Sequence, residues 1–501
     1  MSPVLVLTVI GVYFASLFAI SYLTTRNIDS QSFYLGNRRS PWYIIAIAMV
    51  GTSISGVTFV SVPGMVMSSG FAYMQMVFGF LLGYVAVALI LLPVFYKLHL
   101  TSIYAYLEKR FGMHSYKTGA SFFLLSRMLG SAFRLYIVAI VLQKALFDAW
   151  NIPFFVTVSI TILLIFLYTQ KGGMKTVIWT DMIQTLVFLG AVVLCIFQVK
   201  NALNLDFSGL VKTVTDSDLS KVYVGDVANS RYFWKQFLAG VFTVITMTGL
   251  DQDQMQKNLS CRTLRDAQKN MFTYGALFIP INLVFLSLGV LLVTFAQQSG
   301  LNLSGIKGDE LFPVLATHLN PASGTFYLGT LVSVLFILGV ISAAYSSADS
   351  ALTALTTSFT VDILGVKNND PKLVQKRRLV HISISIALIF VIVLFNLIND
   401  ESVINSIYTV AGYTYGPLLG LFAFGLFTKF AVRDRLIPLV AILSPIVSYV
   451  LNTYVFDFGF SILVVNGLLT FLGLWAISFR RQKFNRKDAK TLRKERKLSE
   501  P

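Results

Sequence analysis

The chain alternates long apolar runs with short polar connections almost from end to end. Runs of about 18 residues or more, long enough to cross a bilayer as helix, recur throughout. The pattern predicts 13 spans, at about 3–23, 41–66, 70–97, 117–147, 152–170, 174–199, 233–256, 268–297, 324–363, 379–399, 402–428, 435–454 and 459–479. The longest non-apolar stretches are 200–232, the segment from Asn302 to Pro321, and a basic tail. The expected fold class is an all-α polytopic membrane protein, with one transmembrane domain over 1–479 and a basic cytoplasmic tail over 480–501.

Two spans interrupt their own pattern. In the second, the apolar run Ile44 to Val50 gives way to GTSISGVTFVSVPG, from Gly51 to Gly64. In the seventh, Val241 to Thr246 gives way to MTGLDQDQMQ, from Met247 to Gln256. Glycine and clustered polar side chains at mid-membrane predict local unwinding. Unwinding frees carbonyls and amides to replace water around an ion or solute. If 41–199 and 233–428 are two five-helix units, each break falls in the first helix of its unit. Five is odd, so the units begin with opposite orientations. That is an inverted repeat, a plan that holds its site between the broken helices.

The ninth span is the most polar in its interior. Between Gly339 and Leu364, Ala343, Ser346, Ser347 and Ser350 share one helical face, and Ser342, Ser346, Asp349 and Thr353 make an overlapping stripe. Hydroxyls and a carboxylate in hydrocarbon surroundings suit a small hard cation. Small residues also permit close helix packing, and serines bond back to their own helix. This stretch alone leaves both readings open.

Composition narrows the class. With 501 residues, 55% hydrophobic and 13% charged, and a mean hydropathy of +0.72, the chain is no soluble domain. The net charge of +17 is concentrated: ten of 40 Lys and Arg lie between Arg480 and Lys497. A tail beside anionic lipid explains that excess, and no nucleic-acid partner is expected. Short-loop charge sets the orientation, with the N-terminus outside and the C-terminus inside. Loops expected inside hold Arg26, Arg38 and Arg39, then Lys97, Lys109 and Arg110, then Lys171 and Lys175, then Lys257, Arg262 and Arg265. Lys367, Lys372, Lys376, Arg377 and Arg378 follow, then Lys429, Arg433 and Arg435. The short outer loops carry Asp400, Glu401 and Asp457. The first run lacks a basic start and a cleavage site, so it reads as a retained span. Cys195 falls in a span and Cys261 in an inner loop, so no disulfide is expected. No nucleophile–base pair or metal-ligand cluster stands out, so an enzyme is not expected, nor an organic cofactor.

Four stretches then carry a resemblance: GGMKTVIWTDMIQ (Gly172 to Gln184), DQDQMQKNLSCRT (Asp251 to Thr263), SAAYSSADSALTALTTSFTVDIL (Ser342 to Leu364) and AGYTYGPLLGLFAFGLF (Ala411 to Phe427). Together they resemble the sodium:solute symporter family over nearly the whole chain. That family includes bacterial sodium/sialic acid, sodium/proline and sodium/glucose cotransporters. The resemblance implies a LeuT-type fold of two five-helix inverted repeats with two broken helices. It implies sodium as the coupling ion and uptake of a small polar organic solute by alternating access. A multi-pass protein of a bacterial inner membrane, in contact with lipid and working as a monomer, is the expected setting. Matched residue by residue, the main sodium site takes the carbonyls of Gly51, Ile54 and Ala343 and the hydroxyls of Ser346 and Ser347. Some members hold a second sodium near the sixth span. Its carboxylate corresponds to Asp181, with Ser346, Asp349 and Ser350 as further oxygens. Asp349 stands where the sialic acid transporters have a serine.

The solute is expected beside the first sodium. Ser53, Ser55 and Thr58 line the break in the second span, and Phe71 and Gln75 lie one turn apart in the third. Asp251 and Gln252 come from the seventh, and Thr409 and Tyr413 from the eleventh. Hydroxyls, amides and aromatic faces suit a sugar-sized or amino-acid-sized solute. Arg127 and Arg134, seven apart in the fourth span, share a face. A deep arginine needs a partner. That partner is either a protein carboxylate or, for Arg134, a substrate carboxylate held in a fork, as the resemblance to sialic acid transporters implies. The balance tilts toward a sugar acid or other carboxylate. Neutral sugars and amino acids stay open, as do a proton-coupled carrier and a solute sensor on the same fold.

Overall fold

Inside a bilayer the backbone has no water to bond, so the chain satisfies itself within helices. The computed structural model describes residues 3–24, 34, 36–227, 229, 231–303, 305–317, 328–366, 370–398 and 403–479. The basic tail, Arg26, Lys367, Asp400 and Glu401 lie outside the described residues. Among those described, ten helices are long and apolar enough to cross a membrane, and shorter apolar helices cover Trp42–Ser53 and Phe154–Gln170.

The order begins with α1 (Pro3–Thr24), α2 (Trp42–Ser53) and α3 (Gly56–Ser69). Helix α4 (Tyr73–Ala86) runs through a wide turn at Val87–Leu91 into α5 (Leu92–Lys97). The short α6 (Ala105–Arg110) precedes α7 (Met113–Leu142). Helix α8 (Phe154–Ala202) bends at Gly173, whose φ of 53° separates the two spans expected there. The long connection after it carries α9 (Phe207–Thr215). Then come α10 (Phe233–Val244), α11 (Gln252–Asn258), α12 (Leu264–Gln298), α13 (Gly308–Thr317) and α14 (Thr330–Ser358). The last four are α15 (Leu373–Ile398), α16 (Val403–Phe427), α17 (Ile437–Tyr454) and α18 (Ile462–Ala476). A two-residue pairing of β1 (Ala431–Val432) with β2 (Ser478–Phe479) is the one small sheet among the described residues.

Both expected interruptions are present. Between α2 and α3 the chain is extended at Ile54 (ψ 94°) and Ser55 (ψ 175°). The last turn of α2 and the first turn of α3 therefore leave carbonyls and amides without helical partners. In the seventh span a wide turn at Ile245–Gly249 ends α10, and α11 restarts after Asp251. The Asp251 carboxylate caps that restart, accepting from the amides of Asp253 and Gln254 at 2.9 and 3.2 Å.

Helix α14 is the axis of the bundle. Every residue from Gly339 to Ser358 is buried, and it packs on α2, α3, α7, α8 and α11. Its hydroxyls therefore face protein on all sides and never meet lipid. The outer helices do the opposite: α15 exposes Ile386, Phe390 and Leu397, and α17 exposes Leu439, Ile442 and Ile446, as a lipid-facing surface requires.

One charge departs from its expected place. Lys257, assigned to an inner loop, is fully buried at the end of α11. Cys261, expected in the same loop, is also buried, and both cysteines are free. The half-helix carries these residues back into the bundle because its cap at Asp251 lies deep.

Close helix crossings set the packing of α4 against α10. A Cβ on Gly240 would overlap the backbone carbonyl of Met76, whereas one on Gly190 meets nothing within 4 Å. Overpacking of this kind costs about 1–3 kcal/mol. Gly240→Val should lower the thermal unfolding midpoint of the detergent-purified protein, and Gly190→Val should leave it unchanged.

Candidate functional site

The broken α2–α3 helix meets α14 and α8 at Gly51. A side chain there would collide with the Thr185 hydroxyl and come within 2.8 Å of Ser346 Oγ. Only glycine allows that approach. Just beyond the break, a Cβ on Gly56 would lie 3.2 Å from the Ala344 methyl and 3.3 Å from the Val340 carbonyl. The structure thus brings the unwound segment containing Ile54 onto the face of α14 that carries Ala343, Ser346 and Ser347, all buried. Ser347 Oγ donates to the Ala344 carbonyl at 2.9 Å, leaving its lone pairs available.

Next to this contact lies a buried ionic cluster. Asp181 of α8 accepts from Ser346 at Oδ1 (2.8 Å) and from Ser350 at Oδ2 (2.8 Å). Thr52, in the last turn of α2, donates to the same Oδ2 at 3.2 Å. Three of the four residues expected around a second cation are therefore together. The fourth, Asp349, points elsewhere: Tyr168 and Thr180 donate to its Oδ2 at 3.0 and 3.4 Å, and the Ser350 amide donates to its Oδ1 at 2.6 Å. Sequence reasoning missed the cation of this cluster. Lys257 Nζ donates to Asp181 Oδ2 at 2.5 Å, to Ser350 Oγ at 2.6 Å and to Thr52 Oγ1. The available signal was Asp181 itself, since a buried carboxylate calls for a counter-charge.

A central cavity opens beside the break. Ser53, Ser55 and Thr58 line it as expected, joined by Thr52. Tyr73, Phe80 and Tyr84 face it from α4, Thr243, Met247, Thr248 and Gln254 from the broken seventh span, Tyr274, Phe278 and Asn282 from α12, and Tyr408 from α16. The Ser53 hydroxyl pairs with Tyr274 Oη at 2.5 Å, and Gln254 Nε2 donates to Ser53 Oγ at 3.4 Å. Gln254 Oε1 and Asn282 Oδ1 have no hydrogen-bond partner among the described residues.

Several expected solute contacts fall outside the cavity lining. Gln75 instead fastens the connection between α9 and α10, donating to the Arg231 carbonyl at 3.0 Å and accepting from the Val224 amide at 3.1 Å. Phe71 is buried near it. Gln252 bonds the Ile103 amide and the Thr101 carbonyl, both at 3.0 Å. Thr409 is exposed, and the Tyr413 ring lies tilted against that of Tyr449, centroids 6.1 Å apart. The inward face of α16 is carried by Ile407 and Tyr408, one residue back, because each step turns the helix by about 100°.

The two arginines divide the readings between them. Arg127 is paired with Asp253 and lies 3.8 Å from Asp251. Tyr415 Oη also donates to Asp251, at 2.5 Å. Asp251 is thus a cap and a counter-ion. Arg134 lines the cavity, with no hydrogen bond or ion pair among the described residues. Removing Arg127 strands buried carboxylates, a cost of about 3–5 kcal/mol. Arg127→Met should lower the unfolding midpoint sharply, while Arg134→Gln should not.

Comparison with known proteins now places the chain. Residues 33–433 match the model of the sodium:solute symporter family. The sodium/sialic acid symporter SiaT of Proteus mirabilis is 26% identical over 483 residues, covering 91% of this chain and 93% of that protein. The human sodium/iodide cotransporter is 28% identical over 416 residues, covering 80% of this chain and 61% of that protein. Among solved structures, a substrate-bound, outward-open Na+-coupled sialic acid symporter shares the fold, with a TM-score of 0.78 at 23% identity, covering 95% of this chain and 99% of that one. Sequence motifs, broken helices and matched length converge: this chain belongs to the sodium:solute symporter family.

Proposed function

We propose that this multi-pass membrane protein couples sodium entry to the uptake of a carboxylate-bearing polar solute, a sugar acid in the first instance. The observation that carries the solute class is Arg134, a guanidinium without a protein partner among the described residues, facing a cavity between two broken helices. Arg127, about two helical turns away, is already occupied by Asp251 and Asp253. A substrate carboxylate completes Arg134 in a charge-assisted fork. Gln254 Oε1 and Asn282 Oδ1 then accept from hydroxyl or amide groups of the solute, and the rings of Tyr73, Phe80 and Phe278 cover its apolar face. Relatives named for sialic acid, iodide and monocarboxylates, all anions, agree with a cationic cavity.

Sodium is assigned to the junction of α2–α3 with α14. The carbonyls of Gly51, Ile54 and Ala343 and the hydroxyls of Ser346 and Ser347 form its oxygen set. Bound there, sodium braces the unwound segment whose continuation, Ser53 to Thr58, faces the solute. Each ligand thereby favours the other. Thirteen spans, with the N-terminus outside and the C-terminus inside, complete the proposed topology, as two inverted five-helix repeats at 41–199 and 233–428.

Asp349 favours a second reading, in which a proton takes sodium's part: it is buried with hydroxyl and amide donors and no ion pair among the described residues. Uptake that follows pH and ignores sodium would select it.

In proteoliposomes, an inward sodium gradient should drive uptake of labelled sialic acid or another carboxylate over neutral sugars and amino acids. Loss of a charge-assisted pair costs about 1.5–3 kcal/mol. Arg134→Gln should therefore raise the half-saturating solute concentration about tenfold to a hundredfold. Ser346→Ala should raise the half-saturating sodium concentration instead. A variant at Arg134 that transports the same solute unimpaired would remove the carboxylate assignment.

A further inference from the structure

The Asp181 cluster is a cation site that already contains a cation. An ammonium has three donors. All three of Lys257 are spent, on Asp181 Oδ2 at 2.5 Å, Ser350 Oγ at 2.6 Å and Thr52 Oγ1. Ser350 turns its own hydrogen to the same carboxylate oxygen at 2.8 Å, and Thr52 shares its hydrogen between that oxygen at 3.2 Å and the Ala48 carbonyl at 3.1 Å, so the lone pairs of both face the ammonium. Carboxylate and hydroxyl oxygens from three helices, lone pairs inward, are the ligand set a small hard cation takes. The fourth helix, α11, supplies the charge on a covalent stem. Lys257 is fully buried.

We propose that Lys257 is the resident cation of the Asp181 site and holds the place of a second sodium, so that this protein binds no sodium at Asp181. The inference rests on the oxygen chemistry used above for the sodium at Ser346, but concerns a separate set of atoms. The two sites touch through Ser346, which donates to Asp181 Oδ1 at 2.8 Å. Asp181 thus holds the Ser346 hydroxyl hydrogen on one oxygen and Lys257 on the other. Because the ammonium is tethered to a half-helix of the second broken span, it cannot cross the membrane. It neutralises Asp181 in every turn of the cycle without drawing on the sodium gradient. Removing it leaves two buried carboxylates, Asp181 and Asp349, with hydroxyl donors but no counter-charge among the described residues, a strong pull on any small cation that fits.

The test is a count. Equilibrium binding of radioactive sodium to the detergent-purified full chain, without added solute, gives the number of sites per chain. The number should rise by one from wild type to Lys257→Met, and the rise should vanish in Lys257→Met combined with Asp181→Asn. Lys257→Arg keeps a tethered cation and should match wild type. A wild type that binds one sodium, with two in Lys257→Met, supports both the Ser346 site and this inference. Zero in wild type and one in Lys257→Met removes the Ser346 site and keeps the inference. Two sodium ions in wild type, an extra sodium in Lys257→Arg, or an unchanged count in folded Lys257→Met overturns it. Should Lys257→Met fail to fold, the wild-type and Lys257→Arg counts still decide.

Discussion

A charge buried between membrane spans has to be answered by another charge or by several hydrogen bonds, and that demand organises the centre of this protein. The alternative costs several kcal/mol per group. Asp181 is answered by Lys257 and three hydroxyls, Arg127 by Asp253 and Asp251, and Asp349 by Tyr168 and Thr180. Each answer joins different helices, so satisfying the charges also fixes the bundle. The one centrally placed charge left without a protein partner among the described residues, Arg134, lies where the cavity is. Stability and binding are thus two outcomes of the same constraint.

The broken helices follow from the same rule. A continuous helix hides its carbonyls and amides; an interruption at Ile54 and Ser55, or at Asp251, exposes them where no water competes. Such exposure is tolerable only against protein or a ligand. Here the first break is pressed against α14 so closely that Gly51 has no room for a methyl group. The second is closed by its own carboxylate cap, which doubles as a partner for Arg127. The first break is closed by packing against neighbouring helices, the second by an aspartate.

Much of this was legible in the residues. Both interruptions, the polar α14, the grouping of Asp181 with Ser346 and Ser350, and the cavity position of Ser53, Ser55, Thr58 and Arg134 follow from pattern, spacing and motif. What escaped was rotation and partnership. A helix buried on every side, as α14 is, has no amphipathic stripe to orient it. Thr409 lies one residue and Tyr413 five residues past Tyr408, so at about 100° per residue both are turned away from the face that meets the cavity. Gln75, Asp251 and Gln252 have the chemistry of solute contacts but spend it on loops and caps, which spacing along one helix does not reveal. Lys257 was read as loop charge because sequence places it beside Arg262 and Arg265, and only the depth of the α11 cap draws it inside.

The stem of Lys257 also settles an account between voltage and concentration. A positive charge bound to the chain returns with the chain, so it performs no electrical work on the membrane. With one free sodium accompanying one monoanionic solute, the translocated pair is neutral. Such a carrier is blind to membrane potential and cannot raise the solute ratio above the sodium ratio. A second free sodium would square that ratio and add about 2.3 kcal/mol for each 100 mV. If Lys257 holds the place of a second sodium, as proposed, the covalent bond between ammonium and half-helix would exchange steep accumulation for uptake that continues across a depolarised membrane.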